Sequence, residues 1–300
     1  MVISREFEVR AWSTFRRMQG IVVSSTMSLG NMTEALVTTT WTAKKLGTPG
    51  VHVIEVGHNG LHEYGRGHLP GASAIDWRRE LIESESSSFV IDPKRFANLA
   101  RRLAVEPDDT LIFYGDEGGR HACRALWTFQ HYRHPGPLHL MDGGREKWQA
   151  QGRPLAAQIP IVEPSTYPIP NVPQEVVRAT REAIEARLGR NGWHIVDARS
   201  REEYEGTEAR AARGGHIPGA THVFWRDAVA EDSALKSKEE LAALYAHVPK
   251  NGTVAVHCQL GIRSAHTWFV LHHVLDRPNV RNYDGSWQEW GNLPDTPIEL

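Results

Sequence analysis

One six-residue pattern, Gly-His-x-Pro-Gly-Ala, occurs twice in the chain. Gly67-His68-Leu69-Pro70-Gly71-Ala72 returns as Gly215-His216-Ile217-Pro218-Gly219-Ala220, an offset of 215 − 67 = 148 residues. Asp142-Gly143, followed by Trp148, returns as Asp284-Gly285 followed by Trp290, an offset of 284 − 142 = 142 that the acids Glu55 and Asp197 share. The second half therefore carries 148 − 142 = 6 extra residues between Asp197 and His216. Three landmarks in one order, on both sides of a Pro-rich stretch, describe a duplicated unit. Duplication constrains the fold more than any single motif, because both copies must satisfy one topology.

Within each copy, β-rich apolar runs alternate with amphipathic stretches. Residues 51–56, 110–114, 194–197 and 253–257 read as short buried strands. Residues 93–103 read as a helix, with Phe96, Leu99 and Leu103 at helical spacing behind a proline. Further helices are expected over 175–188, 237–245 and 264–275. Strands alternating with helices predict an α/β chain with a mainly parallel sheet flanked by crossover helices in each half. Six prolines without periodicity lie from Pro154 to Pro173 and mark a linker. The expected organisation is a poorly ordered extension at 1–33, a first unit at 34–153, the linker at 154–173 and a second unit at 174–300.

Composition removes several functions. Lys and Arg total 34 against 36 Asp and Glu, a net charge of −2, so the global electrostatic case for nucleic acid is absent. No apolar run is long enough to span a bilayer as a helix, and no membrane partner is expected. With only Cys123 and Cys258, neither a disulfide scaffold nor a zinc site needing three thiolates can be built. The sixteen histidines show no triad at ligand spacing, so no metal and no cofactor are expected. Residues 1–33 lack the apolar core of a secretory signal. Two free thiols without such a signal predict a reducing, cytoplasmic location.

Aligning the halves exposes one chemical difference. Tyr114-Gly115-Asp116-Glu117-Gly118-Gly119-Arg120 falls opposite His257-Cys258-Gln259-Leu260-Gly261-Ile262-Arg263 without a gap. Where the second half has Cys258 the first has Gly115, and Cys123 falls inside the following helix, beside Leu126 and Trp127, as a packing residue. Cys258 stands where open α/β sheets place their ligands, at the carboxyl end of a parallel strand. Backbone N–H groups of a short loop entering a helix converge on a common centre and favour a thiolate or an incoming anion. Gly261 permits the tight turn, and Arg263 adds a cation at the rim. His68 and His216 recur in both halves and read as turn residues, as does Asp284-Gly285.

The loop Cys258-Gln259-Leu260-Gly261-Ile262-Arg263 resembles the six-residue active-site loop of rhodaneses. The Gly-His-Ile-Pro-Gly-Ala block, the run Tyr283-Asp284-Gly285-Ser286-Trp287 and the stretch His266–Leu271 are similar to other signatures of that family. The resemblance covers residues 35–300 and implies two tandem rhodanese-like domains, the first catalytically silent. It implies a ping-pong reaction: Cys258 attacks the outer sulfur of thiosulfate, sulfite leaves, and the Cys258 persulfide passes its sulfur to cyanide or a thiol of a small molecule or protein. Covalent catalysis of this kind splits the transfer into two displacements. In the implied site Gln259, Leu260, Gly261, Ile262 and Arg263 form the anion-binding loop. Arg199 corresponds to a site-proximal arginine, and Arg210 or Arg213, both in the six-residue excess, to a substrate-binding one. Glu203 is an acid where some relatives carry an arginine. Asp197 is expected to orient its loop.

Three rivals remain. The family's 3-mercaptopyruvate sulfurtransferases tend to carry the small, uncharged loop Cys-Gly-Ser-Gly-Val-Thr, so Gln259 and Arg263 favour the more charged donor. A cysteine phosphatase would place five residues between its cysteine and arginine to cradle a phosphoryl group; here there are four. The third is a non-enzymatic sulfur-carrier or binding module, but the second loop retains the nucleophile, the glycine and the arginine, which argues against lost chemistry there. A monomer is the expected state.

Overall fold

The computed structural model describes residues 35–300 except 59–60, 85 and 172–174, so the expected extension at 1–33 lies outside the described residues. Short apolar runs build the first sheet: β1 (Leu36–Val37), β2 (Val51–Gly57), β3 (Ser73–Asp76), β4 (Thr110–Tyr114) and β5 (Leu138–Met141), in the order β1-β5-β4-β2-β3. The second sheet contains β6 (Arg178–Ala179), β7 (Trp193–Asp197), β8 (Thr221–His222), β9 (Thr253–His257) and β10 (Val280–Tyr283), in the order β6-β10-β9-β7-β8. Adding five to each number of the first order gives the second. Every ladder is parallel, which accounts for the near-continuous apolar sequence of the central strands, covered on both faces.

Register carries the duplication down to single residues. Glu55 pairs with Tyr114 across β2 and β4, and Asp197 pairs with His257 across β7 and β9. Gly115 and Cys258 are thus the first residues beyond equivalent strand ends.

The recurring turns have one construction. His68 stacks on Tyr64 at 4.0 Å, its Nδ1 3.0 Å from the Tyr64 carbonyl; His216 stacks on Tyr204 at 3.7 Å, its Nδ1 3.0 Å from the Tyr204 carbonyl.

Two helix expectations are corrected. Residues 175–188 form a 3₁₀ turn at Glu175–Val177, the edge strand β6 and a short helix at Arg181–Glu185. Pairing of β6 with β10 claims residues 178–179, and the Thr180 side chain then caps the helix by accepting from the Ala183 N–H. The helix expected over 264–275 is α-helical at Arg263–Phe269 and widens into a π-helical turn at Val270–Val274.

The core explains how the halves are held. Helices Arg120–His131 and Arg263–Phe269, each following its strand-end loop, pack against one another. Their buried residues, among them Leu126, Trp127, Phe129, Ala265, Trp268 and Phe269, belong to a single apolar cluster spanning both halves. Smaller clusters around Trp148 and around Trp287 and Trp290 cover the outer faces of the two sheets.

Candidate active site

Cys258 leaves β9 into a loop braced from below. The Ser286 hydroxyl accepts from the Cys258 N–H at 3.1 Å and donates to the Tyr283 carbonyl at 2.7 Å. The N–H groups of Trp287 and Gln288 donate to the carbonyls of Cys258 and Gln259 at 2.9 and 3.0 Å. Gly261 has φ +73°, and a Cβ there would lie 2.7 Å from Arg124 Nη1 and 2.8 Å from the Asp284 carbonyl oxygen. Only glycine fits this turn without strain.

Cys258 is 1 % exposed. Burial alone would push the Cys258 thiol up. The charge of Arg263, the Ser264 hydroxyl and the backbone N–H groups of Ser264 and Leu260 outweigh burial and bring it below its ordinary value of 9.0. The Ser264 hydroxyl also lies 2.6 Å from Asn282 Oδ1. Having one proton, it serves either the carboxamide or the sulfur, so Arg263 and the backbone donors carry the steadier part of the effect. The arrangement can therefore hold a thiolate and present it to an electrophile.

Cys258, Gln259, Leu260, Ile262, Arg263 and Arg210 line one cavity of about 360 Å³, and Gly261 turns the loop beneath it. The insertion carrying Arg210 is tied to this loop, since Gln259 Nε2 donates to the Arg210 carbonyl at 3.0 Å. Arg199 and Arg213 are not brought there. Arg199 is buried, its guanidinium on Asp197 at 2.6 Å and on the Gly215 carbonyl at 2.7 Å. Arg213 binds the carbonyls of Trp290, Leu293, Pro294 and Thr296 and so fastens the C-terminal segment. Arg263 forms a two-pronged pair with Glu203, which is 1 % exposed. Asp197 accepts from the Arg199 backbone N–H at 3.0 Å and lies 3.5 Å from His257, whose buried ring is held neutral with its pKa brought down to about 4 by burial.

The rest of the cavity wall comes from the first half: His58, Trp77, Arg78, Arg120 and His121. These residues escape a reading of motifs because helix packing across the halves, not chain position, brings them to the loop. One signal was available, since the ungapped alignment sets Arg120 opposite Arg263. Arg124 adds a structural link: it is fully buried and donates to the carbonyls of Gly261 (3.3 Å) and Ser88 (3.0 Å).

The first half's own loop has no nucleophile and no room for one. A Cβ on Gly115 would lie 2.6 Å from the Val56 carbonyl oxygen. Asp116 and Glu55 flank Arg145 there. Cys123 is fully buried in the helix core, and burial pushes its thiol far up. Among the described residues no group of three or more His, Cys, Asp or Glu could hold a metal ion, and no helix is long and apolar enough to cross a membrane.

Comparison with known proteins agrees with this architecture. The model of the rhodanese-like domain matches twice, over residues 38–151 and 180–293. The sulfur carrier protein TtuD of Thermus thermophilus is 40% identical over 280 residues, covering 88% of this chain and 96% of its own. A thiosulfate sulfurtransferase of Corynebacterium glutamicum is 38% identical over 275 residues, covering 89% and 90%. Among solved structures, SseA from Escherichia coli, described as showing the rhodanese fold and catalytic mechanism of 3-mercaptopyruvate sulfotransferases, superposes with a TM-score of 0.74 at 27% identity, over 84% of this chain and 98% of that one. With the family model covering both halves and relatives of this identity spanning most of the chain, the protein belongs to the rhodanese family of sulfurtransferases, as a tandem pair of rhodanese-like domains.

Proposed function

We propose that the protein is a thiosulfate sulfurtransferase working through a persulfide on Cys258. The observation that carries this reading is the lining of the Cys258 cavity. Arg78, Arg120, Arg210 and Arg263 line it, no Asp or Glu among the described residues does, and the glutamates that pair with Arg120, Arg210 and Arg263 stand behind the wall. A dianionic donor gains more from such a site than a singly charged α-keto acid does.

In the first displacement the Cys258 thiolate attacks the outer sulfur of thiosulfate. A sulfur–sulfur bond forms to Cys258, the sulfur–sulfur bond of the donor breaks, and its electron pair leaves with sulfite. Loop N–H groups hold the anionic persulfide. In the second displacement cyanide or a thiolate attacks the terminal sulfur and Cys258 departs as thiolate. Asp197 and Arg199 act as scaffold beneath the loop, and of the two insertion arginines Arg210 is the donor-side residue.

Mass spectrometry after thiosulfate treatment tests the reading. One added sulfur atom is expected on Cys258, removed by cyanide and absent from Cys258→Ser. No adduct, or one on Cys123, overturns it. Comparing kcat/KM for thiosulfate and 3-mercaptopyruvate decides between donors, because that ratio measures differential transition-state binding.

A further inference from the structure

We propose that Arg120, supplied by the half without a thiol, is a donor-binding residue of the Cys258 site and holds the anionic head of the sulfur donor while Cys258 takes its sulfur. This rests on the reading of Cys258 as the thiolate that accepts sulfur from thiosulfate.

The duplication brings Arg120 to that place. Arg120 and Arg263 are equivalent residues, each the first of the helix that follows its strand-end loop. Those two helices pack on each other, so both arginines come to one cavity rather than to one in each half. Their situations then diverge. Arg263 gives two of its nitrogens to the Glu203 carboxylate. Arg120 gives one to Glu117, leaves its Nε buried without a hydrogen-bond partner, and makes no further hydrogen bond among the described residues. Its guanidinium lies over the Trp225 ring, 5.6 Å from the centroid, so the group is held in place rather than free in solvent. Burial depresses its proton affinity; Arg263 adds to this, and Glu117 and the Cys258 sulfur oppose it, which places Arg120 within electrostatic reach of the reacting atom.

A guanidinium presents several donors in a planar fork suited to an oxyanion. With Arg263 engaged by Glu203, Arg120 is the half-buried cation of this wall with donors unspent. In the displacement, negative charge moves from the attacking sulfur onto the departing sulfite. A fixed cation on that side stabilises the bound donor and the leaving group.

The test separates the two half-reactions in the full chain. Persulfide formation on Cys258 is followed in single turnovers at varied thiosulfate, and discharge is followed with dithiothreitol, a donor-independent acceptor without net charge. Arg120→Gln and Arg120→Lys both keep an aliphatic stem over Trp225. The Gln variant should need at least about tenfold more thiosulfate to reach half-maximal persulfide formation. The Lys variant should fall between it and the wild type, and discharge to dithiothreitol should stay within roughly twofold in both. Sulfite, as product inhibitor, should weaken in parallel with thiosulfate. Unchanged saturation by thiosulfate in Arg120→Gln overturns the proposal. So does an equal loss of both half-reactions in folded protein, which would make Arg120 a support of the loop. If wild-type protein gains no sulfur on Cys258 at all, the underlying functional reading fails instead.

Discussion

The Arg263 guanidinium meets the Glu203 carboxylate in two hydrogen bonds, 2.6 and 2.8 Å long, beside the Cys258 loop. Glu203 is itself fixed, its side chain accepting from the Ser200 N–H in a capping box. Burial would raise the Glu203 carboxyl, yet Arg263 holds it below its ordinary value of 4.5. The folded pKa being depressed, the pair's contribution to stability is complete above about pH 4.5 and is lost as pH falls through the lower folded value. Glu203→Gln should cost about 3 kcal/mol or more at neutral pH, because it strands a buried cation. Its stability should also decline less steeply toward acid than that of the wild type. Denaturant unfolding at neutral and acidic pH measures both.

The same pair sets the thiol. Arg263→Leu removes the main charge favouring the thiolate, so the Cys258 pKa should rise, while Glu203→Gln frees that charge and should lower it. The pH dependence of Cys258 alkylation by iodoacetamide reads each shift. In the wild type the midpoint should lie below 9.0, and thiosulfate-dependent activity should fall as pH drops through it. Equal midpoints in all three proteins would contradict this account.

Gly261 should not tolerate a side chain. With φ +73° and the Arg124 guanidinium and Asp284 carbonyl less than 3.0 Å from any added Cβ, Gly261→Ala should destabilise the fold by about 2 kcal/mol or more. Persulfide formation should fall further than the unfolded fraction explains. Thermal unfolding together with a single-turnover assay separates the two effects.

Restoring a cysteine to the first half should not restore chemistry. Gly115→Cys drives its Cβ against the Val56 carbonyl, and Asp116 beside it repels an anionic donor. Thiosulfate treatment of that variant should add one sulfur atom, on Cys258, and none at position 115.

Cys123→Ala should retain sulfur transfer at close to the wild-type rate and lose only about 1 kcal/mol of stability from a small cavity. Native protein treated with iodoacetamide should be labelled at Cys258 and not at Cys123, whose thiol is buried and pushed far up.

Much of this arrangement was legible in the residues. The repeated Gly-His-x-Pro-Gly-Ala blocks and the acids Glu55 and Asp197 are local and recur at fixed offsets, and they translate into equal sheet orders and equal registers. Cys258 was legible because strand, thiol, glycine and arginine are contiguous. Arg199 and Arg213 show where such reading stops. Both lie in the right stretch of chain, but Asp197 and the Gly215 carbonyl claim the first and the C-terminal carbonyls claim the second. Chain position predicts proximity; competition among buried acceptors decides which arginine remains available. Arg78, Arg120 and His121 lay beyond local reading for the opposite reason, since packing between halves far apart in sequence carries them to the cavity.

The helices Arg120–His131 and Arg263–Phe269 bury their aromatic residues in one shared cluster, and this has a thermodynamic consequence. Melting of either copy alone should be disfavoured, because separation would expose Trp127 and Trp268 to water. Ancestry divides the chain in two, whereas cooperativity joins it. Calorimetry should record one transition whose van't Hoff and calorimetric enthalpies agree, and a destabilising change beside Trp127 should weaken the distant thiol loop as much as its own sheet.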